Sequence, residues 1–116
     1  MPLIKIQTSV AISSEQSTTL LKQLSHQLAE HTGKPEAYVM TAIEGGAMMT
    51  FGGTLEPTCY VEIKNIGTMI PEITRSMSSD LCRNIEQLLG VPQSRIYIEF
   101  TDARGAMWGW NGSTFG

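Results

Sequence analysis

Residues 33–44 read GKPEAYVMTAIE, and residues 90–101 read GVPQSRIYIEFT. An offset of 57 residues aligns the two stretches without a gap, and each has a glycine and then a proline ahead of an apolar run. Glycine accepts the left-handed conformation that ends a helix, and a proline two residues later prevents the helix from continuing. Each stretch therefore predicts a helix end followed by a strand, over residues 37–44 and 95–101.

The same offset aligns the segments that begin the two copies. PLIKIQTSV (2–10) lies over CYVEIKNIG (59–67), and each contains the alternating apolar run of a strand, over 3–8 and 60–66. A repeat of this length indicates duplicated units, 2–50 and 59–107. Apolar residues at helical spacing follow each of these strands, so each copy also predicts one amphipathic helix. These residues are Leu20, Leu24 and Leu28 in the first copy and Ile73, Met77, Leu81 and Ile85 in the second.

The order strand, helix, strand in each copy is typical of the β-α-β unit, in which both strands run parallel with a right-handed connection. We therefore expect one domain over 1–116, of the α/β (α+β) class, with a four-stranded mixed sheet and both helices on one face. In the last strand Ile96 and Ile98 are expected beneath the helices, with Tyr97 and Glu99 on the other face. That second face is either solvated or buried against copies of the chain, and symmetric assembly is the usual solution.

Composition excludes several classes of function. The chain has 116 residues, 41% hydrophobic and 16% charged, as expected for a globular domain. Its net charge of −3 and its eight scattered lysines and arginines argue against nucleic-acid binding, which uses a basic stripe. No apolar run reaches the roughly 18 residues of a membrane span, and no basic and apolar leader opens the chain. We expect no membrane association and a cytoplasmic location.

The cysteines and histidines do not have the spacing of a metal or redox motif. Cys59 and Cys82 are too far apart in the sequence for a CxxC pair, so reduced structural thiols are the expected state. His26 and His31 lack the spacing of zinc ligands as well. We predict neither a metal nor another cofactor.

Short motifs along the whole chain point to a family. They are TGKP (32–35), FGG (51–53), EP (56–57), IG (66–67), VPQSRIYIEF (91–100) and GWNGSTFG (109–116). Together with a β-α-β duplication beginning at Pro2, they resemble the macrophage migration inhibitory factor and D-dopachrome tautomerase family of the tautomerase superfamily. The resemblance implies a homotrimer with active sites at subunit interfaces, each catalysing keto–enol tautomerisation of phenylpyruvate-like 2-keto acids. It also implies that Met1 is removed and that the nitrogen of Pro2 is the catalytic base.

Two explanations account for the proline at position 2. The structural explanation is that the first residue of a strand tolerates proline, because no ladder hydrogen bond needs its missing N–H. The catalytic explanation is that removal of Met1 converts the prolyl nitrogen from an amide to a secondary amine. A free α-amino group has a pKa of about 7.7–8, and an apolar cleft with Lys34 nearby would lower it by about one to two units. Such an amine is largely neutral near pH 7, which suits a general base.

The resemblance also assigns the substrate's carboxylate. Lys34 follows a helix-ending glycine, and its ammonium is expected to hold the carboxylate as a compact charge. Ile66 matches the position whose backbone N–H reaches the same carboxylate. A solvated lysine and a simple packing isoleucine are the structural alternatives for these two residues.

The aromatic part of the pocket is likewise implied by the resemblance. It would be formed by Tyr97 of the adjacent subunit with Trp110 and Phe115 of the C-terminal segment. Trp108 stands where the best-known relatives carry a smaller aliphatic residue, so it is expected to narrow the pocket or reshape its mouth. Taken singly, each aromatic residue near the chain end is also consistent with packing between subunits.

Two positions depart from the family pattern. Glu99 replaces an asparagine that hydrogen-bonds the substrate's distal oxygen in the mammalian cytokine, and an ionised carboxylate can only accept. A weaker or shifted substrate preference is therefore expected. Thr58 and Val61 replace the two cysteines of the cytokine's CxxC, so no thiol–disulfide oxidoreductase activity is expected from Cys59, which lies between them.

Two other functions remain open at the level of sequence. One is a cytokine-like ligand that binds a receptor through a vestigial pocket and is exported without a signal peptide. The other is a different reaction of the superfamily, such as hydration-driven dehalogenation or decarboxylation of small unsaturated acids. That chemistry generally needs arginines beside the proline, for which Arg95 and Arg104 are the late candidates.

Overall fold

A computed structural model describes all residues, 1–116, and shows two long helices and one main sheet. Short 3₁₀ turns at Glu36–Tyr38, Gln93–Arg95 and Gly105–Met107 precede strands. In chain order the elements are β1 (Leu3–Thr8), α1 (Ser14–Thr32), β2 (Met40–Glu44), β3 (Cys59–Ile66), α2 (Pro71–Leu89), β4 (Ile96–Ala103), β5 (Gly109–Trp110) and β6 (Ser113–Thr114).

The four long strands form a mixed sheet in the order β2-β1-β3-β4. β1 pairs in parallel with β2, β3 pairs in parallel with β4, and the central pair β1 and β3 is antiparallel. Each β-α-β unit therefore forms one half of the sheet, and the halves meet along β1 and β3. The predicted fold class is confirmed.

The offset of 57 residues found in the sequence carries structural elements onto one another. Adding 57 to the residue numbers of α1 gives those of α2 at both ends. Both helices are followed by a glycine in the left-handed conformation, Gly33 at φ 68° and Gly90 at φ 71°. The predicted strands after these glycines begin later than expected, at Met40 and Ile96. A 3₁₀ turn follows Pro35 and Pro92 in each copy and occupies the first predicted strand residues.

The core lies between the helices and one face of the sheet. Leu20, Leu24 and Leu28 of α1 are buried, as are Met77, Leu81 and Ile85 of α2, so the predicted apolar faces are the packed ones. Alternate residues of β1 and β3 form the sheet side of this core. Neither helix combines the length and the apolar character that crossing a membrane requires.

Polar contacts join the two helices across the core. Asn84 Nδ2 donates to Gln27 Oε1 at 2.7 Å, a contact between positions that the 57-residue offset makes equivalent. His31 Nε2 lies 2.7 Å from Asp80 Oδ2. The hydrogen bond with His31 is the main cause that holds the pKa of Asp80 below its usual value, although partial burial opposes it.

The other face of the sheet carries no helix. Tyr97 is 66% exposed and Glu99 is also exposed, whereas Ile96 on the opposite face is buried. The prediction that Ile96 lies beneath the helices, with Tyr97 and Glu99 on the other face, is confirmed. Lys5 and Glu62 lie opposite each other on this open face in the register of β1 and β3. Its mixed polarity is compatible with water, and its burial in an assembly stays a prediction.

Candidate active site

A cavity of about 480 Å³ opens at the end of the sheet where the chain begins. Its walls are largely apolar, and the start of β1, the turn before β2 and the C-terminal segment all contribute to it. The lining residues are Met1, Leu3, Ala37, Tyr38, Val39, Met40, Trp108, Gly109, Trp110 and Phe115. The three C-terminal aromatic residues singled out in the sequence are thus brought together with the N-terminus.

Aromatic rings form one wall of this N-terminal cavity. Trp110 and Phe115 stack with centroids 5.4 Å apart and an interplanar angle of 14°. Tyr38 meets Trp110 edge-on, with centroids 5.7 Å apart. Such pairs stabilise each other beyond the area they bury, so the wall is a preformed surface for a flat apolar ring.

A tight hairpin holds the aromatic C-terminal segment in place. β5 and β6 are joined by Asn111 and Gly112, which both have positive φ, at 51° and 78°. Asn-Gly is the preferred pair for a two-residue turn with two positive φ angles. Phe115 N–H then donates to the Trp108 carbonyl at 3.2 Å, which returns the last aromatic residue to the cavity.

The chain start is tied into the sheet. The Pro2 carbonyl accepts from Met40 N–H at 3.0 Å, and the Pro2 side chain is fully buried. Burial and the nearby Lys34 ammonium lower the pKa of the Met1 α-amino group below its ordinary value. Both influences that the sequence analysis named therefore act on an amine at this end of the sheet.

Lys34 lies beside the loop that follows β3. Its Nζ is 3.9 Å from the position that a β-carbon on Gly67 would occupy, and Gly67 directly follows Ile66. Asp102 anchors the same loop, because its carboxylate accepts from Gly67 N–H at 3.2 Å and from the Thr68 hydroxyl at 3.1 Å. Lys34 and Ile66 do not line the cavity. The Lys34 ammonium is close enough to act on the N-terminal amine, and the register of β1 and β3, extended by two residues, places Ile66 opposite Met1.

Tyr97 and Glu99 lie elsewhere in the same chain. Tyr97 packs on Phe51 with ring centroids 4.9 Å apart. The Glu99 carboxylate accepts from the Tyr60 hydroxyl at 3.2 Å and from the Thr101 hydroxyl at 3.0 Å. Partial burial, with the hydrogen bonds and charges of Glu99 and Glu62, raises the pKa of Tyr60 to about 12. Their contribution to a pocket of another subunit stays a prediction.

A second cavity of about 320 Å³ lies beside Tyr97. The 57-residue offset carries Met1, Leu3 and Met40 of the N-terminal cavity onto Thr58, Tyr60 and Tyr97 of the second one, and Phe51 onto Trp108. The two cavities are thus equivalent positions of the duplicated fold. The second is lined by Met49, Thr50, Phe51, Gly52, Thr58, Cys59, Tyr60 and Tyr97.

Arg95 takes the position in the second half that Tyr38 takes in the first. Its guanidinium donates to the carbonyls of Pro57 at 2.8 Å, Glu56 at 2.9 Å and Phe51 at 3.2 Å. It also lies 5.3 Å from the centroid of the Phe51 ring. Arg95 is therefore a structural clamp on the chain that enters β3.

Sequence reasoning missed Tyr38 and Met40, which line the N-terminal cavity, and Asp102, which anchors the loop beside Lys34. Tyr38 lies in a turn and has no periodic signal, although the Asn-Gly pair in GWNGSTFG predicts the hairpin that meets it. Met40, 66% exposed, is the first residue of a strand that was expected to begin earlier. Asp102 is a carboxylate near a strand end, and only the register with β3 shows that it anchors the loop beside Lys34.

Comparison with known proteins gives one consistent result. The family model described as macrophage migration inhibitory factor (MIF) matches residues 1–116. A macrophage migration inhibitory factor homolog of Trichuris trichiura is 41% identical over 99% of this chain and 100% of its own length. Macrophage migration inhibitory factor of Xenopus laevis is 36% identical, with 99% of both chains covered.

Solved structures agree with the sequence relatives. The crystal structure of a macrophage migration inhibitory factor homologue from Prochlorococcus marinus has a TM-score of 0.93 and 53% identity, and the match covers 98% of this chain and 99% of that one. Macrophage migration inhibitory factor of Toxoplasma gondii has a TM-score of 0.93 and 31% identity, over 97% and 99% of the two chains. Because each match covers at least 97% of this chain, it includes both copies of the β-α-β unit.

Proposed function

This chain belongs to the macrophage migration inhibitory factor family, and from that membership we propose that it is a keto–enol tautomerase of phenylpyruvate-type 2-keto acids with Pro2 as general base. The observation that carries the proposal is the position of the chain start. The N-terminus lies at an apolar, aromatic cavity, and a lysine ammonium stands close enough to lower the pKa of the terminal amine.

The base is the secondary amine that removal of Met1 exposes. The Met1 amine already has a lowered pKa, and the ring of Pro2 is more deeply buried than Met1. Burial disfavours the charged form of an amine, so we expect the prolyl amine to be shifted in the same direction. A base that is largely neutral near pH 7 can take a proton from a carbon acid and return it.

The substrate would bind with its two ends in different environments. Its carboxylate pairs with Lys34 and with the backbone N–H of Ile66, and its phenyl ring lies on the aromatic wall of Tyr38, Trp110 and Phe115. The amine of Pro2 then takes a proton from the carbon next to the keto group. The electron pair of that C–H bond becomes the enol double bond, and the proton on nitrogen is returned to the oxygen or, in the reverse direction, to the carbon. No cofactor is needed for this step.

The proposed assembly is a homotrimer. Tyr97 is 66% exposed and Met40 is equally exposed, so apolar surface at both cavities is available to another copy of the chain. In the trimer Tyr97 of a neighbouring subunit would close the N-terminal cavity. Glu99 of the same neighbour would approach the distal end of the substrate and select against anionic groups there, since its carboxylate only accepts.

A cytokine-like function is the second candidate, and its support comes from what the relatives are called. Curated relatives from animals are called macrophage migration inhibitory factor, so binding of a receptor and export without a signal peptide are proposed as alternatives to catalysis. A variant at Pro2 separates the two. Receptor binding with a vestigial pocket predicts that a biological effect survives the loss of the catalytic amine.

The test begins with intact mass, which establishes that Met1 is absent. The processed protein is then assayed for loss of the ultraviolet absorbance of enol phenylpyruvate, with Pro2→Gly as the variant and Lys22→Ala, at an exposed lysine of α1, as the surface control. We expect Pro2→Gly to lower kcat/KM by about 10²-fold or more, the usual size of a general-base contribution. Processed protein that does not change the absorbance beyond the rate in buffer contradicts the proposal.

A further inference from the structure

One buried side-chain polar atom has no hydrogen-bond partner, and it belongs to Asn65. The residue is 3% exposed, and its side-chain oxygen Oδ1 receives no donor. A buried carbonyl oxygen that is not hydrogen-bonded destabilises the folded state, so such oxygens are rare in native structures and call for an explanation. The position of Asn65 shows which donor this oxygen could receive.

Asn65 faces the first residue of the processed chain. β1 and β3 are antiparallel, with Leu3 opposite Lys64 and Ile4 opposite Ile63. Continuing this register by one residue places Pro2 opposite Asn65. Both side chains lie on the helix-covered face, and both residues are buried. Opposed side chains on one face have their β-carbons about 4.5–5.5 Å apart, within reach of an asparagine amide.

The direction of the prolyl nitrogen agrees with this pairing. The Pro2 carbonyl accepts from Met40, so the backbone polar groups of Pro2 face β2. In proline the ring carbon Cδ occupies the place of the amide hydrogen, which here is also on the side of β2. After removal of Met1, the two free valences of the nitrogen therefore point away from Cα and Cδ, into the space that Met1 occupied, one on each face of the sheet. Asn65 stands on the helix-covered face.

In the other half of the molecule, the residue equivalent to Asn65 makes a buried hydrogen bond. Thr8 is the equivalent of Asn65 under the 57-residue offset, and it is also buried. Its hydroxyl donates at 2.8 Å to the carbonyl of Thr58, the residue that precedes β3. The equivalent of Thr58 is Met1. A buried polar side chain at this position thus bonds the segment that enters the neighbouring strand.

From these observations we propose that Asn65 is a positioning residue for the Pro2 base, with Asn65 Oδ1 accepting the N–H of the prolyl amine. A neutral secondary amine has one hydrogen and one lone pair. Holding the hydrogen on the helix-covered face directs the lone pair to the open face of the sheet. Leu3, which lines the N-terminal cavity, lies on that open face, since it alternates with buried Ile4. When the nitrogen takes up the substrate proton, the ammonium keeps its bond to Asn65. This inference rests on the proposed function, because it requires Pro2 to be a free amine.

The experiment titrates Pro2 by ¹⁵N NMR in processed wild type, Asn65→Leu and Asn65→Asp, with kcat and KM measured for phenylpyruvate. An acceptor favours the charged amine, so Asn65→Leu should lower the pKa of Pro2 by about half a unit, and Asn65→Asp should raise it by about one unit or more. Loss of lone-pair orientation in Asn65→Leu should lower kcat about tenfold while KM changes less than about twofold. Thr8→Val is the matched control, since it removes the equivalent buried polar group and should leave the pKa of Pro2 unchanged.

A merely structural asparagine would change stability without opposite shifts in the two variants. Folding is verified from the amide spectrum, and if Asn65→Leu does not fold, Asn65→Ala takes its place as the variant without an acceptor. A carboxylate this close to Pro2 raises the pKa of the amine by its charge alone, so Asn65→Asp is not read by itself. A Pro2 pKa that is unchanged in Asn65→Asp, or that does not fall in a folded Asn65→Leu, overturns the inference whatever happens to kcat. The titration does not depend on turnover, so wild-type protein that fails to tautomerise phenylpyruvate contradicts the proposed function separately.

Discussion

The N-terminal cavity and the cavity beside Tyr97 occupy equivalent places in the two halves of the sheet, yet only one of them lies at a chain end. At the N-terminal cavity β1 begins within two residues of the terminus, and Tyr38 opens onto an aromatic wall. At the other, the chain continues through Pro57 into β3, and Arg95 clamps the incoming segment by its carbonyls. A duplicated fold thus provides two similar cavities, and under the proposed function the amine exposed by removal of Met1 would suit only the N-terminal one to acid–base chemistry.

The largest expected effect comes from making the first half resemble the second. A form extended by one residue between Met1 and Pro2, with the extension verified by intact mass, turns the prolyl nitrogen into an amide without a basic lone pair. We expect kcat/KM for phenylpyruvate to fall by about 10²-fold or more. The thermal unfolding midpoint should change little, because the added residue stands outside the core. Full activity of the extended form would show that the chain end is not what distinguishes the two cavities.

The second prediction concerns Arg95, which holds the segment that enters β3 in the second half of the sheet. Arg95 is only 14% exposed at its side chain and donates to several backbone carbonyls. Arg95→Ala leaves these carbonyls without their donors, so we expect the free energy of unfolding to fall by about 2–4 kcal/mol in urea titrations. Arg104→Ala, at an exposed arginine, is the control and should change it by less than about 0.5 kcal/mol. Equal effects of the two substitutions would contradict a structural role for Arg95.

The third prediction concerns the cation that the second half lacks, since Val91 takes the place of Lys34 there. Lys34→Ala should raise KM for phenylpyruvate about tenfold with a smaller change in kcat, as expected for a carboxylate contact made in both ground and transition states. It should also raise the pKa of the prolyl amine, because the Lys34 ammonium lowers the pKa of the Met1 amine at the same end of the sheet. Lys22→Ala, at an exposed lysine of α1, should change neither quantity. An unchanged KM in Lys34→Ala would remove Lys34 from the substrate site.

The smallest expected effect is on stability and concerns the contact between His31 of α1 and Asp80 of α2. The duplicated fold has no second pair of this kind. The offset carries His31 and Asp80 onto Leu88 and Gln23. The pKa of Asp80 is lowered in the folded state, chiefly by the hydrogen bond with His31, so the stabilisation is present above the ordinary aspartate pKa of 3.8. It is lost as pH falls below that value through the folded pKa.

Thermal unfolding of Asp80→Asn measured from pH 6 down to pH 2 tests this expectation. The variant should be less stable than wild type by about 1 kcal/mol or less at pH 6, and the difference should shrink toward pH 2. A difference that grows on acidification would contradict the sign of the shift. Asp102→Asn, a carboxylate outside the helix interface, serves as the comparison.

Much of the fold follows from local signals that each copy carries within about 45 residues. The left-handed glycines, the apolar positions of the helices and the alternation of β1 and β3 depend on neighbours in the chain, and all are observed as expected. The start of β2 was expected too early. A proline followed by a short 3₁₀ turn has no apolar period of its own, and the alternating pattern of the strand runs into it.

The residues of the candidate site also fall into those that the sequence indicates and those that only the structure reveals. Pro2, Lys34 and the C-terminal aromatics were recognisable as motifs, and the structure brings the aromatics to the chain start. Their roles in binding and proton transfer stay predictions. Tyr38, Asp102 and Asn65 had no motif, because their significance depends on what stands opposite them.

From the order of residues alone came two β-α-β units, their helix ends and an unusual proline at the second position. Hydrogen bonding and burial within a few turns of chain suffice for these features. Folding in three dimensions settled the register of β1 against β3, the closure of the C-terminal hairpin on Tyr38 and the burial of Asn65 across from Pro2. Such contacts join segments separated by tens of residues, and their free energy arises from packing between distant segments, for which no local pattern exists.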